Sequence, residues 1–243
     1  MWYRKAVEQE YVEAMVVLGG CYAHGWGVPE DKVEAVMWLH KAAKQGHAEA
    51  QALLGDCYFE GIGIPEDKEE AVKWFHKAAE QENADAQYNL GNCYLHGWGV
   101  LEDNEAAIKW WHKAAEQGYG KAQHNLGVCY AHGWGVPEDN EAAIKWWHKA
   151  AEQGYAETQN FLGQRYFYGI GVPENKTESV KWFSKAAEQG YAEAQFSLGV
   201  CYFDGVGVPK DNEAAIKWWR KAAEQGYTEA LKRIEEERSH NGE

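Results

Sequence analysis

Ten His, five Cys and 38 carboxylates are the side chains of this chain that could ligate a metal or move a proton, and their spacing argues against both. His24, His96 and His132 share one position of a 36-residue period. If each period is one layer of stacked helices, they stand roughly 10 Å apart and cannot close a metal shell with bonds of about 2 Å. His40, His76, His112 and His148 fall on the outer side of a second helix, where they are expected in solvent. No HExxH and no Cys–His cluster is present. Cys21, Cys57, Cys93, Cys129 and Cys201 occupy another shared position. Neighbouring ones lie beyond the Cα separation of about 7 Å that a disulfide tolerates, their number is odd, and no CxxC occurs. They read as small core thiols without a redox role. Arg165 stands where a sixth would be, so that position cannot be fully sealed.

Nucleophilic chemistry is no better supported. The Ser residues are few (Ser179, Ser184, Ser197 and Ser239), none sits in SxxK, and none has a recurring His–Asp arrangement beside it. Gly133–Val136 and its copies are not phosphate cradles, because no strand precedes them and Pro-Glu-Asp follows instead of Lys. Neither a catalytic residue nor a cofactor nor a metal is expected. A formal charge of −14 opposes DNA, RNA and anionic membrane and suits a basic protein or peptide. No apolar run reaches the roughly 18 residues of a membrane span and no signal-type h-region follows Met1, which favours the cytoplasm. Yet Trp2–Glu10 matches the second half of a unit, as in Trp74–Glu82, so the chain opens in mid-repeat as an excised piece of a longer array would.

The elements that carry these residues recur every 36 residues without insertion. Leu18, Leu54, Leu90, Leu126, Leu162 and Leu198 hold one position, each followed by Gly, and Trp38, Trp74, Trp110, Trp146, Trp182 and Trp218 hold another. Such a period marks a solenoid whose units stack on their neighbours. We divide the chain, as one domain, into a half unit 1–11, full units 12–47, 48–83, 84–119, 120–155, 156–191 and 192–227, and a partial unit with a frayed tail, 228–243. In the second unit, Ala50, Leu54 and Tyr58 make the apolar stripe of a first helix over about 48–60. Gly55 within it costs about 1 kcal/mol relative to Ala, which implies a close approach to another helix. Gly61 and Gly63 turn the chain, with one at positive φ. Asp67 caps a second helix over about 68–81 and Glu70 completes a capping box. Ala71, Trp74, Phe75 and Ala78 face inward, and Glu69 pairs with Lys73. Gly118, Gly154, Gly190 and Gly226 stop the second helix. After Glu82, which replaces that Gly, Asn83 is expected to take the left-handed state.

This unit resembles the Sel1-like repeat, a relative of the tetratricopeptide repeat. The resemblance rests on Ala122, Leu126, Gly127, Tyr130, Gly133, Gly135, Val136, Asp139, Ala143, Trp146, Lys149, Ala150, Ala151 and Gly154, and on their counterparts over 1–234. It implies an all-α fold, a right-handed α/α superhelical solenoid of 36-residue helix-turn-helix units. The Cys-bridged subtype does not carry over, since each unit here has one Cys. The family is one of adaptors for signalling, protein quality control and bacteria–host interaction, which implies protein binding. Some members carry a β-lactamase label, so a hydrolase is the least favoured alternative.

The periodic positions are accounted for by core, caps and turns, so specificity is sought where units differ. By analogy with tetratricopeptide relatives, one side of each first helix lines the concave surface. There the expected partner contacts are Asp56, Asp85, Tyr88, Asn92, His96, Lys121, His124, His132, Asn160, Gln164, Tyr168, Phe196 and Asp204. Aromatics mixed with amides and carboxylates suit a segment with apolar anchors and basic groups. Phe59, Phe167 and Phe203 are read as packing residues, and Trp26, Trp98 and Trp134 as packed beneath their His-Gly-Trp-Gly loops. The rival to partner binding is a spacer or a module that self-associates end to end through its open half units, with Trp2 and Tyr3 at one exposed apolar end.

Overall fold

The computed structural model describes residues 11–241, with side chains described as far as residue 237. The half unit 1–11, with Trp2 and Tyr3, therefore lies almost wholly outside the described residues. Thirteen α-helices and no strand occur among the described residues. They fall into two compact units, Met1–Ala122 and Gln123–Glu243. The first contains α1 (Val12–His24), α2 (Lys32–Lys44), α3 (Ala48–Glu60), α4 (Lys68–Glu80), α5 (Ala84–His96) and α6 (Asn104–Glu116). α7 (Gly120–His132) begins in the first unit and ends in the second. The second continues with α8 (Asn140–Glu152), α9 (Ala156–Tyr168), α10 (Lys176–Glu188), α11 (Ala192–Asp204), α12 (Asn212–Glu224) and α13 (Thr228–Asn241). Each is an all-α repeat solenoid in which first and second helices alternate.

The local chemistry that writes these boundaries repeats with the sequence. First helices end at Gly in the left-handed region, as at Gly61 with φ 69°, where an L side chain would be strained. Second helices start at Asp31, Asp67, Asp103, Asp139, Asn175 and Asp211, whose side chains accept from the N–H three residues on. That bond forms whether the donor residue is Glu70 or Ala106, because the donor is backbone. The full box chemistry is therefore dispensable. Lys73 pairs with Glu70 at 2.9 Å instead of with Glu69, while Lys145 does meet Glu141 at 2.6 Å.

Two sequence expectations are corrected at the helix ends. Glu82 itself takes the left-handed state (φ 63°). Asn83 is extended, and its side chain accepts from Ala86 N–H at 2.8 Å to cap α5. The polar C-terminal tail, read as frayed, is helical as far as the described residues reach. α13 runs to Asn241, because its Glu, Arg and Lys are good helix formers and Ala230 and Ile234 pack on Trp219.

The core is built from aromatic rings laid on glycine. A Cβ on Gly55 would sit 2.5 Å from Phe75 Cε1, and one on Gly91 or Gly127 would collide with Trp111 or Trp147. The close approach inferred for Gly55 is thus to a ring of the same unit's second helix. In Trp111, Trp147 and Trp219 the indole N–H also donates to a first-helix carbonyl, that of Tyr88, His124 and Phe196 respectively. The other repeated Trp is clamped from outside by a Lys three residues on, as with Lys77 Nζ 3.8 Å from the Trp74 ring centroid.

A buried glutamine ladder, absent from the sequence reading, fixes one layer to the next. Gln87 Nε2 donates to Ala79 O, the last-turn carbonyl of the preceding second helix, at 3.1 Å. Its Oε1 accepts from Gln117 Nε2 at the end of its own second helix, at 2.8 Å. Gln51 with Gln81, Gln159 with Gln189, and Gln195 with Gln225 make the same two links.

Candidate partner-binding face

The first helices bury Ala, Leu, Gly and Cys toward their own second helix and the layer before, which leaves one side free of the repeat's constraints. In the first unit that side carries Asp56, Asp85, Tyr88, Asn92, His96 and Lys121. Asp85, His96 and Lys121 are exposed, and Asp56, Tyr88 and Asn92 are half-buried. They are partly tied to each other and to neighbours. Asn89 Nδ2 donates to Asp56 Oδ1 at 2.9 Å, Tyr119 Oη donates to Asp85 at 2.9 Å, and the Tyr88 and Tyr119 rings lie 5.1 Å apart. Burial, aided by the charges of Asp85 and Glu60, pushes the Asp56 carboxyl up to about 6.

In the second unit, His132, Tyr168 and Asp204 are exposed, with Tyr168 at 66 %. Gln164 is half-buried and donates to Glu193 at 2.7 Å. Phe196 is half-buried against the Tyr227 ring at 5.1 Å. His124 is half-buried, 3.0 Å from Thr158 Oγ1, and burial lowers its pKa. Asn160 is a correction: at 4 % exposure it belongs to the interior, and its Oδ1 is buried without a hydrogen-bond partner. The fifth repeat is unusual here, since Thr158 and Ser179 are buried at places held by Ala in the other repeats. Arg165, at the place of a Cys, is half-buried, as expected of a position that cannot seal. Its guanidinium rests on the rings of Phe161 and Trp147, 4.6 and 5.0 Å from their centroids.

The histidine and tryptophan expectations change as well. His40, His76, His112 and His148 are not free in solvent. His76 lies 3.1 Å from Tyr94 Oη and edge-on to Trp110, His148 lies 2.9 Å from Tyr166 Oη and edge-on to Trp182, and His40 meets Trp74. Partial burial lowers the pKa of all four. Trp26 and Trp134 do not tuck under their loops. They are 66 % and 55 % exposed and stack on His24 and His132. Trp98 lies tilted against His96, 4.4 Å between ring centroids, and also touches Phe59. Phe59, Phe167 and Phe203 do pack, against Phe75, Phe183 and Trp219. Among the described residues, no group of three or more His, Cys, Asp or Glu is placed to hold a metal ion, and no helix is long and apolar enough to cross a membrane. The thiols of Cys57, Cys129 and Cys201 are pushed up to about 11 by burial, and that of Cys93 to about 12.

One hollow is absent from the sequence reading. It lies in the first unit, with a volume of about 880 Å³, between α1, the start of α2 and α3. Of the residues named above as partner contacts, it takes in Asp56 alone. The signal that marks it is Leu39, where the other repeats have Phe75, Trp111, Trp147, Phe183 and Trp219.

Comparison with known proteins finds the Sel1 repeat at residues 12–47, 48–83, 84–119, 120–155, 156–191 and 192–227. Among solved structures, a protective antigen of uropathogenic Escherichia coli displaying an SLR fold is similar at 42 % identity and a TM-score of 0.90, over 96 % of this chain and 50 % of that one. The chain thus spans about half the length of that relative. A Sel1 repeat protein from Oxalobacter formigenes is similar at 32 % identity and a TM-score of 0.79, over 90 % of this chain and 86 % of that one. An immunity protein of Pseudomonas aeruginosa shares the fold at 20 % identity and a TM-score of 0.54, over 90 % and 81 %. The comparison with curated proteins returned no match.

Proposed function

The chain belongs to the Sel1 repeat family, and from that premise we propose that it is a protein-interaction scaffold that holds a segment of a partner along the side of its first helices. Proteins of this family are in general interaction scaffolds and non-enzymatic. The observation that carries the reading to a particular surface is the contrast between two faces of one repeat. Core, cap and ladder positions are nearly invariant from unit to unit, whereas the exposed side of the first helices changes from Asp85 and His96 to Lys121 and His132 to Tyr168. A surface that only spaces other domains has no use for such variation along its length. The partner that suits this side has apolar anchors and basic groups, since the chain carries −14. Nucleic acid and anionic membrane are disfavoured by the same charge.

The test is crosslinking followed by affinity. A photo-crosslinking residue at Tyr168 or His132 should capture a protein that the same residue at Lys109, on a second helix, does not. With that partner purified, His96→Ala, His132→Ala and Tyr168→Ala together should weaken binding at least tenfold in calorimetry. Affinity unchanged by the triple variant but lost with Lys109→Ala and Lys181→Ala would assign the contact to the second helices and refute the proposal.

A further inference from the structure

The hollow of the first unit is made by missing side chains. In five repeats an aromatic ring lies against the Gly that follows the repeated Leu; here the residue is Leu39, and its Cγ is the nearest atom to a Cβ built on Gly19, at 3.2 Å. Gly20 takes the place of Asp56, Asn92, Val128, Gln164 and Val200, and a Cβ added to it would meet nothing within 4 Å. Val16 stands where the other units have Ala52, Tyr88, His124, Asn160 and Phe196, three of them larger rings. What remains is about 880 Å³, within the size range of small-ligand pockets. Its apolar lining includes Val16, Val36, Leu39 and Leu53.

The rim has the opposite character. Glu13, Glu30, Glu49 and Asp56 border the hollow, and among the described Lys and Arg residues only Lys32 does. Lys32 Nζ is itself 3.7 Å from Glu30. His24 and His47 also line it; the His47 ring accepts from Ala50 N–H, which engages its Nδ1 in capping α3. Trp26, two-thirds exposed, stands beside it and is stacked on His24 at 4.7 Å.

We propose that this hollow receives an aromatic side chain from a partner segment whose adjacent Lys or Arg residues meet the rim of carboxylates. The chain's own repeats show the fit, since Phe75 and Trp111 already lie on glycine at the matching place in α4 and α6. Leu39 covers Gly19 but reaches less far than a ring, and the partner's ring takes the space beyond it. The rim selects against an acidic segment, because four carboxylates would repel it. Asp56 adds to this selection. Burial already disfavours its negative charge, and a cation on the partner relieves that cost. The inference rests on the scaffold reading above and names one anchor point within it.

The probe is an acetylated, amidated pentapeptide with Trp between two Lys pairs, titrated into ¹⁵N-labelled full chain. Its affinity should exceed that of two controls by at least tenfold, one with Ala for Trp and one with Glu for every Lys. The amide shifts should centre on Gly19, Gly20 and Leu53. Leu39→Trp should abolish those shifts and weaken binding at least tenfold while leaving the fold intact, because other repeats carry Trp at that place. Should Leu39→Trp fail to fold, Glu13→Gln with Glu49→Gln gives the second reading, a loss of at least threefold at low salt. Shifts that map to α5 or α9 instead, or an affinity indifferent to Leu39→Trp in the folded variant, overturn the anchor and leave the scaffold reading standing. Absence of binding by every peptide overturns it too. A dimer in sedimentation that Leu39→Trp dissolves would make a second copy of the chain the occupant and refute the cationic segment.

Discussion

Replacing Gln87 by Met tests whether the glutamine ladder holds adjacent layers together. Gln87 is 2 % exposed, donates to Ala79 O and accepts from Gln117. Met keeps the length and burial of the side chain and removes both bonds. Ala79 O retains one partner, since Glu82 N–H also donates to it at 3.1 Å, and the Gln117 amide, being exposed, turns to water. Neither group is therefore left bare, and the larger penalty for an orphaned buried group does not apply. Two net hydrogen bonds at about 1 kcal/mol each give a loss of ~2 kcal/mol. For a chain of this size that corresponds to a fall in Tm of about 4–8 °C. The first repeat shows the weak form of the link, where Met15 offers only its sulfur to Gln45 Nε2 at 3.7 Å. Because layers of a solenoid can open separately, the assay should be native-state hydrogen exchange as well as melting. Protection should fall first in Lys68–Glu80 and Ala84–His96, the helices this Gln joins. Gln117→Met leaves the buried Gln87 Oε1 without its partner and should cost about 1–3 kcal/mol, and the double variant should cost no more than Gln87→Met alone, with a coupling of similar size. A loss under about 0.5 kcal/mol, or one spread evenly over all helices, would refute the ladder as the tie between layers.

Two further substitutions follow from single residues. Glu82→Gly should stabilise the chain by roughly 0.5–1 kcal/mol in chemical denaturation, because the left-handed strain of an L residue, about 1–2 kcal/mol, exceeds the added chain entropy of Gly; a destabilised variant would show that Glu82 makes a contact worth more than its strain. Asp56→Asn should stabilise the chain at pH 7 and do nothing near pH 3, below the unfolded value. Burial raises the folded carboxyl to about 6 from its ordinary 3.8, so between those values the folded state holds the extra proton and wild-type stability falls as pH rises. Asn keeps the acceptor for Asn89 and removes the charge that Asp85 and Glu60 oppose. Equal effects of the substitution at both pH values would contradict the shift.

Much of this architecture is legible because each layer repeats the same local chemistry. Leu54-Gly55, Asp67, Gly61 and the paired aromatics each decide one boundary or one contact, and six copies let each decision be read against the others. The ladder is a different case. Gln51 and Gln81 look like ordinary polar helix residues, and only their separation in space, across an interface between layers, makes them partners. The same holds for His76 and His148. Their outward helical phase is correct, but the Tyr and Trp of the next layer close over them. Periodicity places a residue on its own helix and says nothing of what the following unit lays on top.

The candidate face was harder for a related reason. Searching for function where side chains vary favours residues that a unit has gained, such as Tyr168 or His132, and these are indeed exposed. Asn160 satisfied the same criterion and is buried, because variation inside the interface of two layers looks identical in sequence to variation on a surface. The hollow needs the opposite search. Leu39, Gly20 and Val16 are individually unremarkable, and each is smaller than the residues at most equivalent positions. In a repeat array a lost side chain is bounded on every side by positions that still expect it, so the walls stay in place and the volume stays empty. A deletion from the pattern therefore makes a pocket more directly than an addition makes a contact, and the first repeat carries three deletions that converge on one point.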